Sequence, residues 1–532
     1  MPTRYFLDVP IRLLAALASG VALALAFEPV ALPVLIPFAV AGFVLSCRDL
    51  GVRRALLVGW AFGLGFEFVL LFWMRTVGPD AWIGLSIWQS LFFAVLGAAT
   101  AVLQRHGLWP LWVAAAWVTN ELWFTHWPFS GMPWGRLGFA VVDTPVADAL
   151  PWIGSTGVSF LLALSGTLLA WIVVARERER WIAGGVLAGL VLVSLVPVVV
   201  GWESESSGEV TVAAIQPDVP GNGDNILFDH RQVTQNLVDL TSRLADDVEA
   251  GAEPLPDFVL WPENSTAVDP FRDVQINANI RTASAAIGVP IMVGAIVDAG
   301  PDHVLNQGIV WDPVTGAGDR YTKHHPVVFG EYIPFRRYLD SLQIGRLTMV
   351  GRDMLAGTRE EPLLVAGVPV ANSICFDVAY DDAIYAQIRN GAELLTVQTS
   401  NATFIHTDQI DQQFAITRLR AIETGRWLAV ASTNGISGVI APDGRVVATA
   451  DPRTQAAMVE TMGLTTSITP AVRMGAWPGR FLVALTAVGL VVTLLSAKVP
   501  YGRRRNRQQA EDDGPPGSDV PLAATASEGT NG

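Results

Sequence analysis

Glu263, Lys323 and Cys375 are the residues of this chain whose types could together break and remake an acyl bond. Glu263 stands in Phe258-Val259-Leu260-Trp261-Pro262-Glu263-Asn264. Lys323 stands in Tyr321-Thr322-Lys323-His324-His325, followed by Phe329-Gly330-Glu331-Tyr332. Cys375 stands in Asn372-Ser373-Ile374-Cys375-Phe376-Asp377. The chain holds only two cysteines and two lysines. Cys47 and Lys498 fall in or beside apolar runs, whereas Lys323 and Cys375 share the one long stretch that is not membrane-like, 52 positions apart. A lone thiol there has no partner for an intrachain disulfide. A lone lysine in a chain that otherwise uses arginine suggests a role for a compact ammonium that a guanidinium does not fill. A thiol is only slightly ionised at neutral pH, and the thiolate is the nucleophile. A carboxylate can take the thiol proton, and a lysine cation can stabilise both thiolate and oxyanion. Such a set suffices for acyl transfer through a thioester, with no metal or organic cofactor. Each residue also has an ordinary reading: a small buried hydrophobe for Cys375, a helix cap for Glu263, a solvated cation for Lys323. The combination is harder to dismiss than its members.

Glu263 and Cys375 each directly follow an apolar run that reads as a strand, and α/β domains display reactive groups at the carboxyl ends of strands. Within 205–477 the expected strands are Val210–Ile215, Phe258–Trp261, Pro290–Val297, Gly308–Trp311, Val368–Ile374, Leu394–Gln398 and Trp427–Ser432, short apolar runs bounded by turn signals. Helical patterns lie between several of them, at His230–Ala250, Val274–Ala286 and Ile410–Thr424, the last with Gly425 as its C-cap. Asp312-Pro313 to Gly316 reads as a hairpin turn. Strands alternating with helices imply a layered α/β domain.

The rest of the chain is apolar. Of 532 residues 51% are hydrophobic and 16% charged, which suits a membrane protein with a sizeable soluble part. Eight apolar spans are expected near 11–27, 30–47, 55–74, 83–104, 109–125, 156–175, 181–201 and 479–497, most of them close to the ~20 residues that cross a bilayer. The second and fifth are short or proline-flanked. With Arg4 and Arg12 cytoplasmic, the loops on the same side carry Arg48, Arg53 and Arg54, then Arg105, then Arg176, Arg178 and Arg180, then Arg503, Arg504, Arg505 and Arg507. The opposite loops hold Glu28, Arg75 with Asp80, and a stretch with the single Arg136. Eight spans with both termini inside satisfy the positive-inside rule and leave 205–477 outside. Tryptophans 73, 82, 109, 112, 152 and 202 sit near the ends of runs, where interfacial aromatics belong. Ala24-Leu25-Ala26 has the form of a leader cleavage site, but further spans follow at once and span 1 is read as retained. The domain boundaries that follow are 1–204 for spans 1 to 7, 205–477 for the α/β part, 478–500 for span 8, and 501–532 for a basic then disordered cytoplasmic tail. The net charge of −14 forms no basic stripe and argues against a nucleic-acid partner. Glu67 and Glu121 inside spans either line a substrate cleft or pair between helices.

The three reactive sequences, in this order, resemble the nitrilase or carbon–nitrogen hydrolase superfamily, whose members use a Glu-Lys-Cys triad. Seven spans before such a domain and one after it resemble its membrane-embedded branch, the apolipoprotein N-acyltransferases. So do Gly131-Met132-Pro133-Trp134-Gly135 and the stretch from Ser400-Asn401 through Arg418, Arg420, Glu423 and Gly425 to Asn434-Gly435. The resemblance implies a polytopic helical membrane domain with an inserted αββα sandwich. It implies Glu263 as general base, Lys323 as transition-state stabiliser, Cys375 as nucleophile, and Glu331 as a supporting second glutamate. Phe376 and Asp377 match an aromatic–acid pair that is more often Tyr-Glu. Ala402-Thr403-Phe404 stands where an acid and a tryptophan are common, and Phe228 is the nearest candidate for a tryptophan usual after the first strand. The implied reaction is ping-pong. Cys375 takes an acyl chain from the sn-1 position of a phospholipid, typically phosphatidylethanolamine, and passes it to the α-amine of the diacylglyceryl-cysteine of an apolipoprotein. The implied setting is the outer face of the bacterial inner membrane, and the enzyme is expected to be a monomer. Ile333–Val350, with Arg336, Arg337 and Arg346, reads equally as an interfacial lid or a packed loop. A membrane-anchored amidase is the nearest rival, although one anchor would serve it. A transporter or inactive lipid-binding scaffold is more distant, since no duplicated halves are evident.

Overall fold

The structure, a computed structural model, describes residues 3–221, 226–339 and 350–497. The expected tail, Lys498, the middle of Ile333–Val350 and the side chain of Phe228 lie outside the described residues. Helices stand at all eight predicted spans: α1 Thr3–Ala24, α2 Ile36–Ser46, α3 Val52–Leu70, α4 Pro79–Leu103, α5 Trp109–His126, α6 Leu150–Val174, and α7 Glu177–Ser194 continued by α8 Val196–Val200, with a last helix over Trp477–Ala497. Among the described residues, Pro79–Leu103, Pro145–Val174, Glu177–Val200 and Trp477–Ser496 are long and apolar enough to cross a membrane. Prolines in the first turns of α4, α5 and α6 supply the fixed φ that starts a helix without wasting a hydrogen bond. The bundle is knit by aromatic edges. Phe62 lies 4.7 Å from Phe43, 5.4 Å from Phe93 and 5.8 Å from Trp117, ring centre to ring centre.

The α/β part carries two sheets. The first contains β1 Ser206–Gln216, β2 Phe258–Leu260, β3 Ile291–Asp298, β4 His303–Asp312, β5 Gly316–Thr322 and β6 Asp353–Met354, with β7 to β12 following in the second: Leu363–Val365, Val368–Ile374, Leu394–Thr399, Leu428–Ser432, Gly438–Ile440 and Val446–Thr449. The last strand, β13 Ala456–Thr465, returns to the first sheet, whose order is β13-β1-β2-β3-β4-β5 with β6 on β4; the second runs β12-β11-β10-β9-β8-β7. Between strands lie α9 Ile226–Glu249, α10 Val274–Ile287, α11 Arg336–Leu339, α12 Asp382–Arg389 and α13 Gln409–Thr424, and α14 Pro470–Met474 leads into α15 Trp477–Ala497.

Alternation along the strands builds three layers of core. Val212, Phe258, Leu260, Met292, Val370, Leu394 and Ala429 meet between the sheets. Their neighbours Ala213, Val259, Trp261, Ile291 and Val293 face α9 and α10. Ala371, Leu395, Val397, Leu428 and Val430 face α12 and α13. The last layer does not end at α13. It is continuous with Phe27, Trp134, Phe139 and Leu150 of the membrane part, so the second helical layer of the sandwich is also the seat of the catalytic unit on the bundle.

The predicted strands lie where expected, and Val368–Ile374 matches β8 residue for residue. Asp312 caps the expected hairpin by accepting from the amides of Val314 and Thr315, both at 2.8 Å. Strands β5 to β7 and β11 to β13 escaped notice: β6, β7, β11 and β12 are too short to form a run, β5 is polar, and β13 is half-exposed and mixed.

Gly294 in β3 allows the chain after β2 to turn across the sheet. A Cβ there would sit 2.1 Å from the carbonyl oxygen of Pro262 and 2.8 Å from Glu263 Cα. Gly294→Ala is therefore expected to cost about 1–3 kcal/mol, as overpacking does, and to displace Glu263. Thermal unfolding in detergent should show a lower Tm and an activity assay a loss beyond it. Gly184→Ala on α7, where nothing lies within 4 Å, should change neither.

Candidate active site

Glu263 is delivered by the parallel run β1-β2-β3. Trp261 anchors the strand exit in the α9 layer, its Nε1 donating to Thr241 Oγ1 at 3.0 Å. Pro262 then turns the chain and Glu263 points back into the protein, 2% exposed. Its Oε1 accepts from Asn306 Nδ2 at 2.7 Å and from Lys323 Nζ at 3.3 Å, and its Oε2 accepts from the Ser400 amide at 3.0 Å. Lys323 leaves the end of β5 and is 1% exposed. Its amide donates to the Asn306 carbonyl at 2.9 Å, and its Nζ donates to Glu331 Oε1 at 2.7 Å. Glu331 is fixed in turn by the Val327 amide at 2.8 Å. Burial alone would neutralise the ammonium, but Glu263 and then Glu331 outweigh it and hold the lysine pKa well above its usual value. Burial likewise pushes the Glu331 carboxyl up, against the pull of Lys323.

Cys375 ends β8 with φ +52°, a left-handed conformation, and opens a 3-10 turn over Cys375–Ala379. Unlike Glu263 and Lys323, residue 375 is not fully enclosed. Burial, then the negative charge of Glu263, push its pKa up to about 12, and Lys323 opposes them. The side chain of Thr399 hydrogen-bonds to it. At neutral pH the resting group is a thiol, and a base must take its proton as it attacks.

The other predicted residues lie around this centre. Asp377 is fully buried and touches none of the three. It accepts from Tyr321 Oη at 3.0 Å, the His324 amide at 3.1 Å and the His325 amide at 2.7 Å, tying the Cys375 turn to the backbone that follows Lys323. Phe376 turns toward the membrane part, its ring stacked on Trp134 at 5.9 Å. Trp134 and Trp73 both donate to Gln412 Oε1, at 2.8 and 2.9 Å, so two membrane loops and α13 share one amide. Asn306 was missed, although the polar pair Asn306-Gln307 inside β4 was the available signal. Ser400 and Asn401 are at the site. The Asn401 carbonyl accepts from Thr399 at 3.1 Å and its amide donates to Gln409 and Gln413 at 2.9 Å. Glu121 takes the paired reading, accepting from Trp117 Nε1 at 3.1 Å and the Leu137 amide at 3.0 Å. Glu67 is buried in α3. A cleft between the α1–α2 loop, the loop after α5, and α13 is lined by Glu28, Trp134, Asp143 and Gln412 and by neither of those glutamates. At the start of Ile333–Val350, Ile333 is buried and Arg336 is paired with Asp353, whereas Phe335 and Tyr338 are exposed. Among the described residues no three His, Cys, Asp or Glu side chains are grouped to hold a metal ion.

Residues 19–168 match the family described as apolipoprotein N-acyltransferase N-terminal domain, and residues 211–466 match carbon-nitrogen hydrolase. The apolipoprotein N-acyltransferase of Mycolicibacterium smegmatis is 35% identical over 525 residues, covering 93% of this chain and 87% of that protein. That of Methylococcus capsulatus is 29% identical and covers 93% of this chain and 96% of its own. Among solved structures, an amidase of the nitrilase superfamily from Nesterenkonia AN1 is 16% identical, covers 50% of this chain and 95% of its own, and has a TM-score of 0.37.

The raised thiol pKa has a direct consequence. Alkylation of Cys375 by iodoacetamide, located by mass spectrometry, is expected to be slow at pH 7 and still rising through about pH 10, since only the thiolate reacts. A rate that levels off near the pKa of an ordinary thiol, about 8.5, would mean that burial and Glu263 do not raise it.

Proposed function

Because the chain belongs to the apolipoprotein N-acyltransferase family, we propose that it passes a phospholipid acyl chain through a Cys375 thioester to the N-terminal amine of an apolipoprotein. It is an N-acyltransferase of lipoprotein maturation. The finer steps follow from the site. As Cys375 Sγ attacks the ester carbonyl of the donor, Glu263 takes the thiol proton. The Lys323 ammonium faces the charge that develops on the carbonyl oxygen. The new C–S bond forms, the ester C–O bond breaks, and the proton held by Glu263 leaves with the lysophospholipid oxygen. In the second half the α-amine of the diacylglyceryl-cysteine attacks the thioester. A C–N bond forms, the C–S bond breaks, and the amine proton returns to the sulfur by way of Glu263. Glu331 keeps Lys323 charged and in place, Asp377 positions the turn, and Phe376 forms the wall toward the membrane loops.

The observation that carries this reading is the buried ammonium between two carboxylates, with the Cys375 thiol in their field. The seat of the sandwich on the apolar bundle supports lipid substrates over a small soluble amide, because it sets the thiol where a bilayer-bound chain can reach it and water is scarce. We place all eight helices across the bacterial inner membrane with 205–477 on its outer face, supported by the arginine loops on the opposite side. Phosphatidylethanolamine is the proposed donor and the monomer the proposed working unit.

Incubation with labelled phospholipid should leave an acyl group on Cys375, detected by mass spectrometry, and added diacylated peptide should discharge it. Glu263→Gln and Lys323→Met should each lower kcat by about 10²–10⁴-fold. If Cys375→Ala restored N-acylation in cells lacking the activity, the thioester route would be wrong.

A further inference from the structure

Four charged side chains outside the triad, three of them buried and Asp381 half-buried, meet where the membrane helices join the sandwich. Arg136 comes from the loop between α5 and α6, Asp381 from the residue before α12, and Arg420 and Glu423 from α13. Arg136 is 1% exposed, and Arg420 and Glu423 are fully buried. Arg136 donates to both oxygens of Asp381, at 2.9 and 3.1 Å, and to Ser155 and Thr156 at the start of α6, at 2.9 and 3.0 Å. Arg420 donates to Asp381 at 2.8 Å and pairs with Glu423. Glu423 accepts from the Ser155 amide at 2.6 Å. That amide is free because Gly154, at φ +65°, interrupts α6. The ring of Phe139 lies 4.9 Å from the Arg136 guanidinium and 5.7 Å from that of Arg420. Two cations and two anions leave no net charge. Burial pushes the Asp381 carboxyl up, but Arg136 and Arg420 together hold it well below the usual carboxylate range.

Adhesion alone does not need this arrangement, since a buried ion set can often be replaced by apolar residues without loss of stability. Apolar residues could not supply one further bond. Arg420 Nε donates at 2.7 Å to the carbonyl of Val378, inside the 3-10 turn that Cys375 opens. A non-glycine residue in the left-handed region persists only where its surroundings over-determine it. The turn is held at three points: Asp377 by the 324–325 backbone, Val378 by Arg420, and Asp381 at the exit by both arginines.

We propose that Arg420 is a positioning residue for the nucleophile, holding the Cys375 turn in its left-handed form through Val378, and that Asp381 and Arg136 make this hold depend on the seating of the membrane loop and α6. The proposal rests on the thioester reading above. It gives a reason for the four charges gathered at this junction. It also gives the membrane part a role beyond anchoring, because the loop after α5 becomes part of what aims the thiol.

The test uses the full-length enzyme in mixed detergent–lipid micelles. Arg420→Lys keeps the charge but cannot reach Val378, Asp381 and Glu423 at once. The double substitution Arg136→Gln with Asp381→Asn removes the link to the membrane loop while leaving Arg420 paired with Glu423. Single-turnover acylation of Cys375 from labelled phosphatidylethanolamine, per folded molecule, should slow about tenfold or more in the first and about fivefold in the second, with donor KM within about twofold of the original. A merely structural role would lower folded yield and Tm and leave the rate per folded molecule unchanged. Cys375 alkylation, which needs no lipid, reads the same turn separately and should differ from the original protein by about threefold or more in Arg420→Lys. Original rates of acylation and alkylation in Arg420→Lys would overturn the proposal, and a slow Arg420→Lys beside an unaltered double variant would overturn the dependence of the hold on Arg136 and Asp381. If the unsubstituted enzyme formed no acyl-Cys375, the thioester reading would fall instead, and the alkylation rates would still decide whether Arg420 holds the turn.

Discussion

The rest of the site depends on a cation with no access to water. Lys323 lies inside the sandwich, and an ammonium there is tolerable only with opposite charge and full hydrogen bonding around it. Glu263 and Glu331 supply the charge from two different loops. Two carboxylates around one cation would themselves be costly without further donors, and these come from Asn306, the Ser400 amide and the Val327 amide. Asn306 reaches it from within β4, Ser400 from the end of β9, and Val327 from the same loop as Glu331. The fold is therefore constrained at four places by one buried charge. What remains is a negative field beside a thiol, which suits a base and keeps the resting sulfur protonated until a substrate arrives.

The second constraint is mechanical. The proposed reaction brings two lipid substrates to one thiol away from water, which asks that the sandwich be held against the bundle rather than tethered to it. The shared core from Ala371 and Leu395 through α13 to Trp134 and Phe139 does this by burial. Gln412 adds direction. Its side chain takes both indoles on its oxygen and donates from its nitrogen to the Glu28 carbonyl at 2.9 Å, so loops from three parts of the membrane domain are registered to one residue of α13. Phe376, stacked on Trp134, carries that registration to the residue after Cys375.

Much of the fold was legible from periodicity. Apolar runs in the sheet interiors announced β1 to β4 and β8 to β10 because these strands are buried on both faces, and α13 with its Gly425 cap was readable because its C-terminus adopts the left-handed form that glycine favours. The edge and hairpin strands were not legible. β13 is only partly buried and mixes polar with apolar residues, yet it pairs with β1 along almost its whole length, so backbone pairing rather than side-chain burial defines it. Of the site, the chemistry-bearing residues were legible because lysine and cysteine are so scarce in this chain. Asn306 and Thr399 were not, because a single polar residue in a strand does not reveal which neighbour it will meet.

Residue type and order thus determined the reactive trio, the α/β character of the segment that holds it, and the apolar helices on either side. They did so because scarcity, alternation and apolar length are local properties of a chain. Only the tertiary structure decided that Asp377 holds backbone rather than substrate, that Phe376 faces a membrane loop, and that Arg136, Asp381, Arg420 and Glu423 form one neutral cluster behind the nucleophile turn. These residues lie up to 287 positions apart, and a buried charge takes its meaning from the partner that folding places beside it. No local pattern records that partner.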